Sequence, residues 1–154
     1  MIINVSRISP DGERLIGEEP AEILELGEEK RLKVEGPVRF DLFAQKAGPE
    51  LIVQGKLGLS LAVECSRCAD FFSTTLEDSS FLRAYPVPEG TETVDLTGDI
   101  REDILLNLPV VSLCSPACKG LCPRCGKNLN EGPCSCRLGQ GAKGTWSALD
   151  KLDL

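Results

Sequence analysis

The sequence contains no histidine, and only one tryptophan, one tyrosine and one methionine among 154 residues. Without an imidazole, the chain has neither a Ser/His/Asp nor a Cys/His catalytic arrangement, and no zinc site of the two-cysteine, two-histidine kind. It also lacks an apolar run of roughly 18 residues, the length that a membrane span requires. Any bound metal must therefore be held by sulfur or carboxylate ligands, and no membrane partner is expected.

The beginning of the chain lacks the basic segment and long apolar run of a secretory signal. We therefore expect a cytoplasmic protein. The chain nevertheless has eight cysteines, and structural disulfides are disfavoured in the cytoplasm because glutathione and thioredoxin keep thiols reduced. The cysteines require another explanation.

Charge divides the chain into two unlike parts. The whole chain carries 17 basic and 24 acidic residues, a formal net charge of −7. Residues 1–113 carry 11 basic and 21 acidic side chains, a net charge of −10, whereas residues 114–154 carry 6 and 3, a net charge of +3. We predict an acidic β-rich domain over residues 1–113 and a cysteine-rich zinc-binding module with a terminal helix over residues 114–154.

Apolar and polar residues alternate through much of the acidic part, which is typical of half-buried strands. The predicted strands are 2–8, 23–26, 32–42, 51–65 and 71–85, of which 23–26 could equally be a helical turn, and residues 89–99 are predicted to be an acidic loop. Gly36-Pro37 interrupts the third strand, and Gly55 and Gly58 indicate that the fourth is bent. The fold class is therefore mainly β (α+β), a small antiparallel β-barrel or sandwich with one or two short helices.

Two helices are predicted in the second half of the chain. Asp99 can cap the first, with Glu102 three residues later as in a capping box, and an apolar stripe continues until Pro109. The second begins at Thr145 and carries apolar residues through Leu152, so we expect it to dock the end of the chain on the core.

Six cysteines lie within the 23 residues from Cys114 to Cys136, a stretch rich in Gly, Pro and Asn. Cys122-Pro-Arg-Cys125-Gly is a zinc-knuckle sequence, because two intervening residues let both thiolates reach one tetrahedral ion. Cys134 and Cys136 follow on a loop with almost no apolar residues, which has little else to offset its ordering entropy. These four cysteines predict one zinc site.

The other four cysteines are Cys65, Cys68, Cys114 and Cys118. The first two lie at a predicted turn between strands and the last two follow the predicted helix, so a second four-cysteine site that joins the two modules is geometrically reasonable. Alternatively, Cys114 and Cys118 serve the later site and leave Cys65 and Cys68 as free thiols. All eight cysteines are candidate ligands for one or two structural Zn²⁺ ions.

Two other uses of the cysteines remain open at this point. An iron–sulfur cluster is one, although the spacings match neither common ferredoxin pattern. A disulfide or redox switch is the other, although a strand is predicted where a redox CxxC motif would be followed by a helix. We expect no enzyme and no catalytic residue, because the sequence shows no Gly-rich phosphate loop and no carboxylate pair in an apolar setting. A closed all-cysteine zinc site also leaves no open position for a small-molecule substrate.

Three segments occur in a specific order: VECSRC after a long strand, VDLTGDIREDILLNLPVVSLC, and CKGLCPRCGKNLNEGPCSC. In this order they resemble the YceD-type family, the large ribosomal RNA subunit accumulation proteins, over roughly residues 30–154. The matching positions are Cys65, Arg67, Cys68, Arg101, Glu102, Leu108, Pro109, Cys114, Cys118, Gly120, Leu121, Cys122, Cys125, Gly126, Asn128, Leu129, Asn130, Cys134 and Cys136. The resemblance implies a role in 23S rRNA accumulation or processing and in assembly of the large ribosomal subunit.

Charge limits the partners of a protein in that role. RNA binding depends on neutralisation of phosphates by Lys and Arg, and four thiolates around Zn²⁺ leave a charge of about −2, so two sites would lower the net charge from −7 to about −11. Only the C-terminal part offers clustered cations for rRNA, namely Lys119, Arg124, Lys127, Arg137 and Lys143. The acidic part suits a basic ribosomal protein or an assembly intermediate. We therefore expect a non-catalytic assembly factor; the alternatives are an RNA-processing or modifying enzyme, or a zinc-stabilised interaction module unrelated to RNA.

Overall fold

The chain folds mainly into β-strands, as the sequence predicts, in a computed structural model that describes residues 1–27 and 31–136. The elements are β1 (Ile2–Asn4), a 3-10 turn (Val5–Arg7), β2 (Glu13–Glu19), a 3-10 turn (Ala21–Leu24), β3 (Leu32–Val34), β4 (Val38–Ala47), β5 (Glu50–Glu64), β6 (Phe71–Pro86), β7 (Thr93–Asp95) and α1 (Thr97–Leu106). None of the helices in the described part is long and apolar enough to span a membrane. The terminal helix predicted from Thr145 lies outside the described residues.

Five antiparallel strands form one sheet centred on β5. The whole length of β6 pairs with one edge of β5, from Glu50↔Pro86 to Glu64↔Phe71. The other edge of β5 pairs with β4 and then β3, and β2 continues the sheet beyond β4. Over residues 1–27 and 31–136, β2 and β6 do not pair with each other. The sheet therefore stays open, and the predicted barrel is wrong.

The sheet is irregular on both sides of β5. On one side, residues 35–37 separate β3 from β4 and shift the register by two, from Val34↔Leu61 to Arg39↔Gly58. This is the interruption that Gly36-Pro37 indicated in the sequence. On the other side, the register of β5 with β6 shifts by one residue, so that two residues of β6 lie opposite one of β5. Such a bulge bends the strands, as the glycines of the long strand led us to expect.

The core lies between one face of this sheet and a layer formed by α1, the 3-10 turns, β1 and β7. β1 and β7 pair antiparallel in a separate two-stranded sheet. The fully buried large residues are Leu42, Leu51, Leu57, Leu59, Leu61, Val38, Val53 and Phe81 of the five-stranded sheet, and Leu24, Leu96, Ile100 and Ile104 of the opposite layer. They belong to one contiguous cluster. The covering layer is mixed, so a sandwich of two full sheets stays a prediction.

The structure changes three predictions: the element at residues 23–26, the loop at residues 89–99, and the two ends of α1. Residues 23–26 lie in and just after a 3-10 turn, the alternative that the sequence left open, and the predicted loop 89–99 contains β7. Asp99 is not the helix cap, because α1 begins at Thr97 and the carboxylate of Asp95 accepts the Thr97 backbone N–H at 2.9 Å. Leu108 follows the end of the helix rather than forming part of its last turn.

Two carboxyl groups also lie where the sequence predicted none. Asp78 on β6 and Asp103 on α1 are largely buried and face each other. The alternation of β6 places Asp78 on the same inward face as Leu76, and the helix brings Asp103 to it from about 25 residues away. The expectation that no carboxylate pair has an apolar setting is therefore wrong.

Candidate metal centres

The eight cysteine sulfurs gather into two groups of four. Cluster 1 consists of Cys65, Cys68, Cys114 and Cys118, and cluster 2 consists of Cys122, Cys125, Cys134 and Cys136. Within each cluster all four sulfur atoms lie within 4.8 Å of one another, and all eight cysteines are free thiols. The structure thus groups Cys114 and Cys118 with the cysteines of the sheet, rather than with the later site.

Two sulfur–sulfur distances in cluster 1 suit a tetrahedral ion. The Sγ atoms of Cys65 and Cys118 are 3.8 Å apart, and those of Cys68 and Cys114 are 3.7 Å apart. Four sulfurs bound at about 2.3 Å to tetrahedral Zn²⁺ would lie about 3.8 Å from one another. A disulfide would need about 2.05 Å. Cluster 1 therefore has the spacing of a four-sulfur metal site.

Both CxxC sequences form the same hydrogen-bonded turn. In each, the first cysteine accepts the backbone N–H four residues later and donates its own N–H to the carbonyl five residues later. The bonds are Ala69 N–H to Cys65 O (2.9 Å), Cys65 N–H to Asp70 O (2.9 Å), Gly126 N–H to Cys122 O (2.9 Å) and Cys122 N–H to Lys127 O (2.8 Å). The sequence identified only the second turn as a knuckle, because only that turn is followed by glycine.

This difference between the turns gives a prediction for a matched pair of variants. Ala69 has a φ of 61° and Gly126 a φ of 71°, so both occupy the left-handed region, where a Cβ costs about 1 kcal/mol. We expect Ala69→Gly to raise the free energy of unfolding by up to about 1 kcal/mol and Gly126→Ala to lower it by about 1 kcal/mol. A Cβ on Gly126 meets no atom within 4 Å, so urea denaturation of the metal-loaded proteins measures backbone strain. Shifts of the same sign would contradict this account.

Cluster 1 joins the sheet to the segment that follows α1. Two of its cysteines lie at the β5–β6 connection and the other two follow the helix, across the predicted boundary at residue 113. The Arg67 guanidinium donates to the carbonyls of Pro116 at 3.3 Å and Cys118 at 3.1 Å, and the Ser66 N–H donates to Ser112 O at 2.8 Å. The two predicted modules therefore share this cluster; the division at residue 113 stays a prediction.

Cluster 2 is attached directly to cluster 1. The Leu121 N–H donates to the carbonyl of Arg67 at 3.0 Å, and Gly120 lies so close to that carbonyl that a Cβ would be 3.0 Å from the oxygen. The side-chain amide of Asn130 donates to the Cys118 sulfur at 3.3 Å. From the sequence, Arg67 and Asn130 are indicated only by the family resemblance, since neither is a typical metal ligand. In the structure, both side chains position the cysteines.

Backbone N–H groups lower the pKa of one cysteine in each cluster well below its usual value. Those of Cys114 and Cys68 lower the pKa of Cys65 to about 6, and the N–H of Cys125 lowers the pKa of Cys122 to about 6. In contrast, hydrogen bonding with the neighbouring Cys125, together with burial, raises the pKa of Cys136 to about 12. Four thiolates can coexist at this distance only with a cation among them, so metal binding would release protons and weaken as the pH falls.

The two clusters differ in exposure. In cluster 1 only Cys114 is exposed, whereas in cluster 2 Cys125 is exposed, Cys134 and Cys136 are half-buried, and only Cys122 is buried. A metal ion in cluster 2 would thus be the more accessible to competing ligands.

We therefore expect a chelator to remove metal from cluster 2 first. Native mass spectrometry at intervals after addition of the chelator should show loss of one ion at least about tenfold faster than the other, a difference in activation free energy of about 1.4 kcal/mol. In the Cys134→Ser variant the fast phase should be absent and the slow phase unchanged. A fast phase that survives in this variant would contradict the assignment.

Three cations surround cluster 2 on the described part of the chain. Lys119, Arg124 and Lys127 are exposed, and Lys127 donates from Nζ to the carbonyl of Pro133 at 3.1 Å. Their side chains form no ion pair within residues 1–27 and 31–136. The other two cations of the predicted basic surface, Arg137 and Lys143, lie outside the described residues.

Comparison with known proteins connects both clusters to one family. The family model described as "Large ribosomal RNA subunit accumulation protein YceD" matches residues 77–153, half of the chain. The chain belongs to the YceD family. The match includes α1 and six of the eight cysteines, so the resemblance seen in the sequence is confirmed.

The chain matches only part of the length of each of three relatives. Over 57 residues, 37% of this chain, it is 35% identical to the chloroplastic "Large ribosomal RNA subunit accumulation protein YCED homolog 1" of Arabidopsis thaliana, and the match spans 18% of that protein. The Zea mays protein of the same name is 39% identical over 51 residues, 32% of this chain and 17% of the relative. An uncharacterized protein of Mycobacterium tuberculosis is 31% identical over 108 residues, 61% of this chain and 52% of the relative. No solved structure matches the chain.

Proposed function

We propose that this protein is a non-catalytic factor for the accumulation of 23S rRNA and the assembly of the large ribosomal subunit. Membership of the YceD family carries this proposal, together with the names of the plant relatives, which concern accumulation of large-subunit rRNA. The place of action is the cytoplasm, where thiols stay reduced and ribosomes assemble. Four cysteines around one metal ion would leave no position for a substrate, which supports a non-catalytic role.

We propose further that each cluster binds one structural Zn²⁺ ion through its four cysteines. All-sulfur donor sets suit Zn²⁺, and the sulfur spacing in cluster 1 agrees with tetrahedral geometry. The ion would supply the positive charge that four neighbouring thiolates need, and its role would be structural and not catalytic. The protein side of the sites is provided by the two knuckle turns, by Arg67 and by Asn130, which hold the cysteines in place.

The charges favour different partners for the two parts of the chain. The cations around cluster 2 offer a surface for rRNA phosphates. The layer that covers the sheet carries many carboxylates, among them Glu22, Glu25, Glu92, Asp95 and Glu102, and it suits a basic ribosomal protein or an assembly intermediate.

Substitution of the cations around cluster 2 tests the RNA contact. We expect Lys119→Gln, Arg124→Gln and Lys127→Gln together to weaken binding to 23S rRNA fragments and to reduce the slope of log affinity against log salt concentration by about 2. The matched control removes three cations of the sheet, with Arg39→Gln, Lys46→Gln and Lys56→Gln, and should leave the slope unchanged. Equal effects of the two triple variants would show that RNA binding depends on the overall charge of the protein, and not on a surface at cluster 2.

Deletion of the gene tests the function as a whole. We expect the deletion to lower the amount of 23S rRNA and of large subunits in sucrose-gradient profiles, and the intact protein to restore both. Normal large-subunit levels would favour an interaction module unrelated to RNA. RNA cleavage or modification by the purified protein, lost on substitution of a single carboxylate but retained without the cysteines, would favour the enzyme alternative.

A further inference from the structure

Two carboxyl groups meet where α1 packs on β6. Asp78 is 8% exposed, and it is the only charged residue among those described that is buried. The side chain of Asp103 is 13% exposed. The Oδ2 atom of each is buried without a hydrogen-bond partner, and the two side chains lie within hydrogen-bonding reach of each other. A buried carboxylate oxygen without a hydrogen-bond donor destabilises the folded state. A proton or a cation between the two carboxyl groups would remove this cost.

The remaining oxygen of each carboxyl already has a donor. The bulge in β6 brings the backbone N–H and the hydroxyl of Ser80 to Oδ1 of Asp78, at 3.1 and 2.6 Å. The Arg83 guanidinium donates to Oδ1 of Asp103 at 3.3 Å. Only the two Oδ2 atoms lack a donor, and a single hydrogen on one of them satisfies both.

We propose that Asp78 and Asp103 share one proton in mildly acidic solution, and that this proton fastens α1 to β6, so that the packing of the helix weakens as the pH rises towards neutrality. The arrangement is that of two adjacent carboxyls that cannot both ionise. Asp78 is the acceptor, because Ser80 favours its ionised form, and Asp103 carries the hydrogen.

The surrounding charges agree with this assignment. Burial, and then Asp78, raise the pKa of Asp103 to about 6, against the opposing effect of Arg83. The hydrogen bond with Asp103, and then Ser80, lower the pKa of Asp78. Elsewhere on the same elements, the Tyr85 hydroxyl donates to Asp99 at 2.6 Å, Arg83 lies 3.5 Å from Asp99, and on the side of the neighbouring 3-10 turn Arg101 pairs with Glu25 at 2.6 Å.

The sign of the effect follows from the two states. The unfolded chain releases the Asp103 proton near pH 4, whereas the folded protein keeps it until about pH 6. Between these values the folded state binds more protons than the unfolded state, so its stability decreases as the pH rises. The contribution is complete below about pH 4 and is lost above about pH 6.

Asp103→Asn tests the proposal, because its amide donates to Asp78 at every pH. We expect the folding equilibrium constant of the metal-loaded wild type, divided by that of Asp103→Asn, to fall about tenfold between about pH 5 and pH 7.5 in urea titrations. Both proteins contain the same cysteine clusters, so protons released by metal binding cancel in this ratio. Glu102→Gln, an exposed change on the same helix, should keep the wild-type pH dependence.

A direct titration completes the test. The side-chain carbon signal of Asp103 in NMR spectra of the wild type should change with a midpoint near pH 6, and Asp78→Asn should lower this midpoint. A constant ratio of wild type to Asp103→Asn, or an Asp103 midpoint near pH 4, would overturn the proposal. It would also be overturned if Mg²⁺ or Ca²⁺ stabilised the wild type at pH 7.5 but not Asp103→Asn, because a metal ion would then take the place of the proton.

Discussion

Replacement of Cys65 and Cys68 by serine is expected to remove one metal ion and to lower the free energy of unfolding by about 4 kcal/mol or more. These cysteines lie at the end of the long β5–β6 hairpin, and cluster 1 connects that hairpin to the segment after α1. Without the ion, the remaining pair, Cys114 and Cys118, no longer fastens this segment to the sheet. The segment after α1 and cluster 2 then lose this attachment together, while α1 stays packed on the core through Ile100 and Ile104.

The matched control changes the same number of cysteines in cluster 2. Cys134→Ser with Cys136→Ser should also remove one ion, but it should leave the unfolding of the sheet within about 1 kcal/mol of the wild type, since cluster 2 contains no residue of the sheet. Native mass spectrometry counts the ions, and urea denaturation followed by far-ultraviolet circular dichroism measures the sheet. Equal destabilisation by the two double variants would contradict the view that cluster 1 is the junction.

Gly55→Ala is expected to have the second large effect, a loss of about 3 kcal/mol or more of stability. Gly55 lies on β5 next to the bulge in β6, with a φ of 154°. A Cβ there would lie 2.2 Å from the carbonyl oxygen of Asp41 and 2.8 Å from the Cα of Leu42. Both atoms belong to the backbone of β4, so the central strands would have to separate to make room.

Gly58→Ala is the control for this prediction. Gly58 lies three residues further along the same strand, and the nearest atoms to its Cβ would be at 3.8 Å, an ordinary contact distance. We expect its stability to stay within about 0.5 kcal/mol of the wild type in urea denaturation. Similar losses in the two variants would mean that glycine is required along this strand in general, and not by the close approach of β4.

The long strands were predictable because their signals are local. β5 alternates apolar and polar residues over its length, and β6 was predicted from its β-forming residues; the structure follows both predictions to within a few residues. β2 was missed because its inward positions are Leu15, Gly17 and Glu19, only one of which is a large apolar residue. The space at Gly17 is filled by the ring of Phe40 from the neighbouring strand, 2.7 Å from where a Cβ would lie. That packing depends on strand pairing and is not visible in the local sequence.

In the candidate site too, the features set by neighbouring residues were predictable, and those set by contacts between distant residues were not. The turn at Cys122 follows from its spacing and from Gly126, which supplies the positive φ that the turn requires. The partnership of Cys65 with Cys118 joins residues 53 apart and could be offered only as one of two pairings. Asp78 and Asp103 were treated as surface charges because alternation does not reveal which element covers an inward position.

The central claim is that this member of the YceD family holds two closed, all-sulfur zinc sites that fasten its cysteine-rich part to an acidic sheet. Mass spectrometry of the purified, reduced protein under native and then denaturing conditions tests it most directly. The account predicts a native mass higher by two Zn²⁺ ions, with about eight protons displaced, one from each cysteine. A native mass without zinc, or with iron and inorganic sulfide in place of zinc, would contradict it.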